Sequence, residues 1–205
     1  MLVAEKILVR QLGTAEYQPT LEAMREFTAR RGADTPDELW LLEHPPVYTL
    51  GLAADAAHGP KSASAIPVVQ VERGGEITYH GPGQVVLYTL VDLARRGIKV
   101  KQFVALLEDS LIELLGSRAQ RKPGAPGIYV AGAKVAALGI RVTRGCAYHG
   151  LALNVDMDLA PFAAIDPCGY PGLQVTQTRD LGIAEGREIL GARLAGILAG
   201  RLEGA

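Results

Sequence analysis

Cys168 stands in Asp166-Pro167-Cys168-Gly169-Tyr170-Pro171-Gly172, a stretch too rich in proline and glycine to be a core element. Structural cysteines usually sit within a regular apolar face, so this position predicts a thiol held beside a cleft by a stiff turn. A free thiol has a pKa of about 8.5 and reacts as its thiolate, so it needs a neighbouring cation or base near neutral pH. Lys134 is the candidate, because it opens an otherwise apolar strand, Val135-Ala136-Ala137-Leu138-Gly139-Ile140. A strand-end lysine is ordinarily solvated. In an apolar site, however, its pKa falls and it can take a proton from the thiol. Cys146, in Arg144-Gly145-Cys146-Ala147-Tyr148, leads straight into a strand and reads as packing.

A second concentration of chemistry is Arg73-Gly74-Gly75-Glu76-Ile77-Thr78-Tyr79-His80-Gly81-Pro82-Gly83-Gln84, with four glycines and a proline in twelve residues. Glycine lets backbone approach a ligand closely and weakens any strand that contains it. The block therefore reads as one wall of a binding site, with a busy hairpin as the bland alternative. Gly81-Pro82-Gly83 has neither the spacing of a dinucleotide fingerprint nor the Gly-Lys-Ser/Thr of a phosphate loop, and a β-like segment follows it. His44, His58, His80, His149 and the two cysteines do not form the close pairs of structural zinc sites. The expectation is no metal and no cofactor.

The elements that must position these groups follow from periodicity. Strands are predicted at Ile7–Leu12, Glu38–Glu43, Val47–Leu50, Ile66–Val71, Val85–Val91, Ile128–Val130, Lys134–Val142 and Tyr148–Val155. Helices are predicted at Ala15–Arg31, with Pro19 confined to the first turn, at Lys101–Leu115 and at Ile189–Leu202. Residues 52–65 read as a surface loop, Gly124-Ala125-Pro126-Gly127 as a turn, and 161–172 as a loop or broken short helix. His149, Leu151, Leu153 and Val155 share one strand face by the two-residue period, which places Asn154 on the other. We assign His149 to the pocket and Asn154 to structure. The order predicts an α/β (α+β) fold, a mixed sheet with helices on one side.

Residues 1–205 are long enough for one sizeable core and are read as a single domain. The 48% apolar and 21% charged fractions are those of a soluble globular protein. A formal net charge of -1 gives no electrostatic case for nucleic acid. No apolar run reaches the about eighteen residues of a membrane span. The N-terminus lacks a secretory pattern, so a cytoplasmic, reducing setting with free thiols is expected. A monomer is the default.

Four blocks in order carry a family resemblance: Arg73–Gln84; Lys134-Val135-Ala136-Ala137-Leu138-Gly139-Ile140-Arg141; Arg144-Gly145-Cys146-Ala147-Tyr148-His149-Gly150-Leu151-Ala152-Leu153-Asn154; and Pro167-Cys168-Gly169. Together they resemble the lipoyl(octanoyl) transferases, from the opening strand to about residue 180. The resemblance implies a biotin/lipoate ligase-like domain, a mixed sheet with a second smaller sheet and packing helices. It implies transfer of an octanoyl group from octanoyl-acyl carrier protein to the lysine ε-amine of lipoyl domains of 2-oxoacid dehydrogenases and the glycine-cleavage H protein.

In that family the cysteine matching Cys168 carries the acyl group as a thioester, and the lysine matching Lys134 serves as its base. Substrate-binding positions carried over are Arg73, Gly74, Gly75, Glu76, Ile77, Thr78, Tyr79 and His80, then Ala137, Leu138 and Gly139, then His149, Gly150, Leu151 and Ala152. In this frame Gly74-Gly75 and Gly81-Pro82-Gly83 wall the acyl chain, and Thr78, Tyr79 and His80 orient the thioester or the attacking lysine. Backbone N–H groups near Leu138-Gly139 or Cys168-Gly169 would stabilise the oxyanion. Arg73, Arg141 and Arg144 are the expected contacts for acidic carrier or lipoyl domains. Ala137 and Ala147 stand where the family commonly has serine, which leaves oxyanion binding to backbone donors. An ATP-dependent ligase or a non-catalytic acyl- or carrier-binding module on the same fold are the rival readings.

Overall fold

Two of the predicted apolar runs form the centre of the molecule. In the computed structural model, which describes residues 6–54, 59–61 and 65–205 but not the side chain of Cys168, β6 (Gln84–Asp92) and β10 (Cys146–Asn154) pair antiparallel with Leu151 opposite Leu87. Nearly every residue of both is buried, as expected of strands covered on two faces. Residues 55–58 and 62–64 of the expected surface loop, His58 among them, lie outside the described residues.

Around that pair a seven-stranded mixed sheet is completed by β1 (Leu8–Thr14), β2 (Glu38–Glu43), β7 (Gln120–Arg121), β8 (Gly127–Val130) and β9 (Ala133–Thr143), in the order β1-β2-β6-β10-β9-β8-β7. Only β1 and β2 run parallel there. A second sheet, β4-β3-β5, joins Val68–Gln70, Val47–Leu50 and Ile77–His80. The last of these lies inside the glycine-rich block, where periodicity is too short to show a strand.

Helices cover both faces of the large sheet, which corrects the one-sided arrangement read from element order. A one-turn helix, α2 (Leu93–Arg96), follows β6. Val85, Leu87 and Val91 of β6 face α3 (Val100–Leu115) and α4 (Arg187–Glu203), in one core with Phe103, Leu107, Leu194 and Leu198. Val86, Tyr88 and Leu90 face α1 (Tyr17–Arg30), in a second core with Leu21 and Met24. The strand's own alternation makes two apolar faces, and each needs a cover. The third cluster, Tyr48, Ile77, Tyr79, Met157, Phe162 and Ile165, packs the small sheet against the segment that follows β10.

One buried charge ties the end of α1 to the end of β6. The Asp37 carboxylate accepts from Arg96 Nε at 2.6 Å, Arg95 Nη2 at 3.1 Å, the Asp92 backbone N–H at 2.8 Å and Arg31 Nη2. Asp37 is buried, as are Arg31 and Arg96 for the most part. None of the described helices is long and apolar enough to cross a membrane. Asp37→Ala removes the shared anion from three guanidinium groups. It is expected to cost about 3–5 kcal/mol, the scale for breaking a buried ion pair. Urea unfolding with an unchanged slope and an unshifted midpoint would contradict this.

Candidate active site

Arg73 organises the first wall. Its side chain is buried, and Nη1 donates to Gly74 O (3.0 Å) and Glu76 O (2.9 Å). Nη2 donates to Thr49 O (2.7 Å) and Thr49 Oγ1 (2.8 Å) in β3. The glycine-rich loop thus folds around its own guanidinium, and Gly74 N–H bonds Ile140 O of β9 at 2.9 Å. Buried in this way, Arg73 is not the exposed carrier contact expected from sequence. Arg144 is exposed but spends its guanidinium on Thr28 O (3.1 Å) and Ala29 O (2.9 Å), in the last turn of α1.

Between this loop and the sheet lies a cavity of about 350 Å³, within the size range of small-molecule sites. It sits where β8 stops pairing with β9 after Gly127↔Ala137, leaving that edge of β9 to the glycine-rich loop, which bonds it at Ile140 O. Of the fifteen substrate-binding positions inferred from resemblance, fourteen line it, in three stretches: Arg73–Thr78 with His80, Ala137–Gly139, and His149–Ala152. Tyr79 does not. Successive strand residues point to opposite faces, and its ring packs against Tyr48 and Phe162, with centroids 5.6 and 5.4 Å away. The second glycine pair serves packing as well. A Cβ on Gly81 would lie 2.3 Å from the Tyr79 hydroxyl oxygen, and one on Gly83 1.9 Å from Asp156 O. Those glycines join the two sheets and leave the cavity wall to Gly74 and Gly75.

Sequence reasoning missed Tyr17, Val86, Tyr88, Val104, Leu107, Ile140, Tyr170 and the turn Gly124–Pro126, which also line the cavity. The clustered glycine and proline of that turn was the available signal; Tyr17 and Tyr88 look like ordinary core positions.

The inner end is aromatic, with neutral imidazoles beside the buried Arg73 guanidinium. His149 has φ +62, a conformation that costs a non-glycine residue about 1–3 kcal/mol. It swings the imidazole onto the α1 side of the sheet, stacked on Tyr148 and edge-on to Tyr88. His149 therefore leaves the face of Leu151 and Leu153, against the alternation read from sequence, and shares a face with Asn154. Its Nε2 is buried without a hydrogen-bond partner among the described residues. Asn154 takes a structural place: Oδ1 accepts from Gln84 Nε2 (2.9 Å), Gln84 Oε1 meets His80 Nδ1 (2.8 Å), and Asn154 Nδ2 donates to Thr176 O (3.0 Å). His44 Nδ1 meets Ala15 O at 2.6 Å and Nε2 meets the Tyr88 hydroxyl at 2.7 Å. Facing carbonyl oxygens, both His44 and His80 must carry their proton on Nδ1. Burial lowers His44 to about 4. His80 falls to about 3 by burial, with the nearby His44 adding to it. His149 also falls to about 3, by burial and then by the Arg73 charge.

Lys134 is not a solvated strand end. It is 4% exposed, its Nζ donates to Pro126 O at 3.0 Å, and it lies 5.6 Å from the centre of the Tyr129 ring. Its stem passes over Gly127, at φ +137, where a Cβ would come within 2.5 Å of Lys134 Cε. Pro126 is itself part of the cavity wall.

The backbone of Lys134 is bracketed by the segment that follows Cys168. Lys134 N–H donates to Gln174 O (2.8 Å) and Thr176 N–H to Lys134 O (2.9 Å). Upstream, Pro167–Gly169 forms a single 3₁₀ turn. That turn abuts the first wall, since a Cβ on Gly169 would lie 3.1 Å from the Glu76 side chain. Gly169 N–H bonds Asp166 O at 2.9 Å, which removes it from the candidate oxyanion donors. Cys146 is buried, its thiol 3.8 Å from Arg144 O, and burial followed by the Asp92 charge raises its pKa. Among the described residues no three His, Cys, Asp or Glu side chains gather to hold a metal.

A large mixed sheet carrying a smaller one is the fold of the lipoate and biotin protein ligases. A bipartite lipoate protein ligase from Thermoplasma acidophilum superposes over 96% of this chain and 84% of its own, with a TM-score of 0.76 at 13% identity. A biotin protein ligase from Aquifex aeolicus does so over 97% and 70%, with a TM-score of 0.54 at 10% identity. The family model of the lipoyl protein ligase A/B catalytic domain matches residues 16–184, and the chain belongs to that family. It is 63% identical over 180 residues to an octanoyltransferase of Thiobacillus denitrificans, covering 86% of this chain and 82% of that one. An octanoyltransferase of Azoarcus sp. is 56% identical over 195 residues, covering 94% and 86%.

The three buried imidazoles set an acid limit. Their folded pKa values lie below the ordinary about 6.5, so the unfolded chain binds more protons at intermediate pH. Their stabilisation is present above about pH 6.5 and is lost as pH falls toward 4 and 3. Each contributes a slope of up to about 1.4 kcal/mol per pH unit, and the three together up to about 4, near pH 5. Urea unfolding between pH 7.5 and 4.5 should show that fall; a flat profile would refute neutral burial.

Proposed function

We propose that this chain transfers an octanoyl group to protein lysines in lipoylation through an acyl-thioester on Cys168, with Lys134 as the base. Octanoyl-acyl carrier protein is the donor and the lysine of a lipoyl domain the acceptor. The observation that carries the reading is the bracketing of Lys134. A buried lysine beside an acyl-sized cavity is bonded through its backbone to the segment that follows the Cys168 turn. Those bonds seat the proposed base on the chain that leaves the proposed nucleophile's turn, which supports reading the two as a nucleophile–base pair.

In the first step Lys134 Nζ takes the thiol proton and the Cys168 sulfur attacks the donor carbonyl. The C–S bond to the carrier's arm breaks, and that thiolate leaves with the proton. In the second step the acceptor ε-amine attacks the Cys168 thioester and forms the amide C–N bond; the C–S bond breaks, and Lys134 takes the amine proton and passes it to the departing Cys168 sulfur. The donor arrives activated, so no nucleotide is consumed. The aromatic inner end of the cavity, with its imidazoles held neutral and the Arg73 charge met by its own backbone and Thr49 acceptors, suits an alkyl chain. Any charged group there would be desolvated at a cost.

Incubation with octanoyl-acyl carrier protein in the absence of ATP should give a hydroxylamine-labile octanoyl adduct, read by intact mass. Cys168→Ser should give neither adduct nor amide, while Cys146→Ser keeps both. Lys134→Ala should stay folded and slow transfer by about 10²–10⁴-fold, the usual worth of a positioned base. An unchanged rate in Lys134→Ala rules out the base. Amide formation only with free octanoate and ATP would identify a ligase.

A further inference from the structure

Tyr170 follows the Cys168 turn directly, is 41% exposed and lines the cavity. A large aromatic ring left this open at a rim has little packing to hold it, yet a cation is placed against it. Lys122 Nζ lies 5.3 Å from the centre of the Tyr170 ring and 5.7 Å from that of Tyr129, within the reach of cation–π attraction. Tyr129 is buried, and its hydroxyl donates to Ala125 O at 3.2 Å. Its ring also lies 5.6 Å from Lys134 Nζ, which holds Pro126 O at 3.0 Å. Through the two rings Lys122 bridges strand β8 and the segment carrying Cys168, and its carbonyl accepts from Ala125 N–H of the turn at 3.1 Å. Lys122 is on the surface, so the bridge is made at the rim and not in the core.

We propose that Tyr170, latched by Lys122, is the door of the acyl cavity and shields the acyl-enzyme from water. The inference rests on the covalent reading above. An acyl group on Cys168 faces two acceptors. Attack by an amine completes transfer. Attack by water forms a C–O bond at the same carbonyl, breaks the C–S bond, returns a proton to the thiol and wastes the acyl group as free octanoic acid. Covering a reactive intermediate is a recognised use of a mobile side chain or loop at a site entrance. Tyr170 touches the cavity; Lys122 touches no reacting atom and is a positioning residue. The shared Tyr129 ring places the latch beside the proposed base, so the door and the reacting pair are set by one frame.

The test loads the full-length protein from octanoyl-acyl carrier protein and measures free octanoate against amide formed on a lipoyl domain. Tyr170→Ala should raise the share of acyl groups lost to water about tenfold. Lys122→Ala, which frees the ring but leaves it present, should raise it about two- to fivefold, the weight of one exposed cation–π contact. Tyr170→Phe and Lys122→Arg keep ring and cation, and should hold the partition near that of the unsubstituted protein. Both positions are exposed, so folding is checked by the thermal midpoint alone. An adduct that partitions normally in Tyr170→Ala and Lys122→Ala overturns the door and leaves the covalent route standing. No adduct on the unsubstituted protein overturns the covalent route, and the door with it.

Discussion

The burial of the Arg73 guanidinium is the constraint on which the site depends. A cation out of water must be met by acceptors or it is prohibitively costly. Here the acceptors are two carbonyls of its own loop together with the carbonyl and hydroxyl of Thr49 in the small sheet. Meeting them curls Gly74–Glu76 into a wall and fixes that wall to the second sheet. The Gly74–Ile140 bond then fixes it to the first. The cavity is the space left between two sheets joined in this way. Burial lowers the pKa of His80 and His149, and the same charge adds to it (for His80, after His44), which keeps those imidazoles neutral.

The opposite end is organised by backbone. Lys134 is bonded on both sides of its peptide unit to residues 174–176, so the segment leaving the Cys168 turn becomes an extra short edge beside β9. Glu76 lies along the other flank of the turn, where a Cβ on Gly169 would come within 3.1 Å of its side chain. Proline and glycine around Cys168 therefore make sense as a short, sharply bounded turn between two anchors. The proposed chemistry needs two groups on separate stretches of chain, and these backbone hydrogen bonds tie Lys134 to the stretch that leaves the Cys168 turn.

Strands and helices were legible because their periods are local. Glu38–Glu43 and Val47–Leu50 fall where the pattern puts them, and the last helix runs only slightly beyond its predicted ends. Strand Ile77–His80 was hidden because four residues amid glycines carry too little period to read. The sidedness of the helices was hidden too. β6 reads as one continuous apolar run, and a run says that both faces are covered without saying by what. Within the glycine-rich block, composition located the wall but did not divide its labour. Gly74 and Gly75 line the cavity, whereas Gly81 and Gly83 make room for Tyr79 and for the backbone of Asp156.

The sequence by itself determined the chemical inventory: a thiol in a Pro-Cys-Gly turn, a lysine at the head of an apolar strand, and glycine blocks in an order that marks the family. These are properties of residue type and spacing, which a linear chain displays directly. Tertiary structure alone decided where the charges and rings go. Arg73 and Arg144 look alike as strand-end cations, yet the first is swallowed by its own loop and the second caps a helix. His149 and Asn154 fall on opposite faces by strict alternation, and one positive φ puts them on the same face. Such outcomes depend on which partner is within reach after two distant segments meet, and that information resides in distances between strands, not in spacing along one.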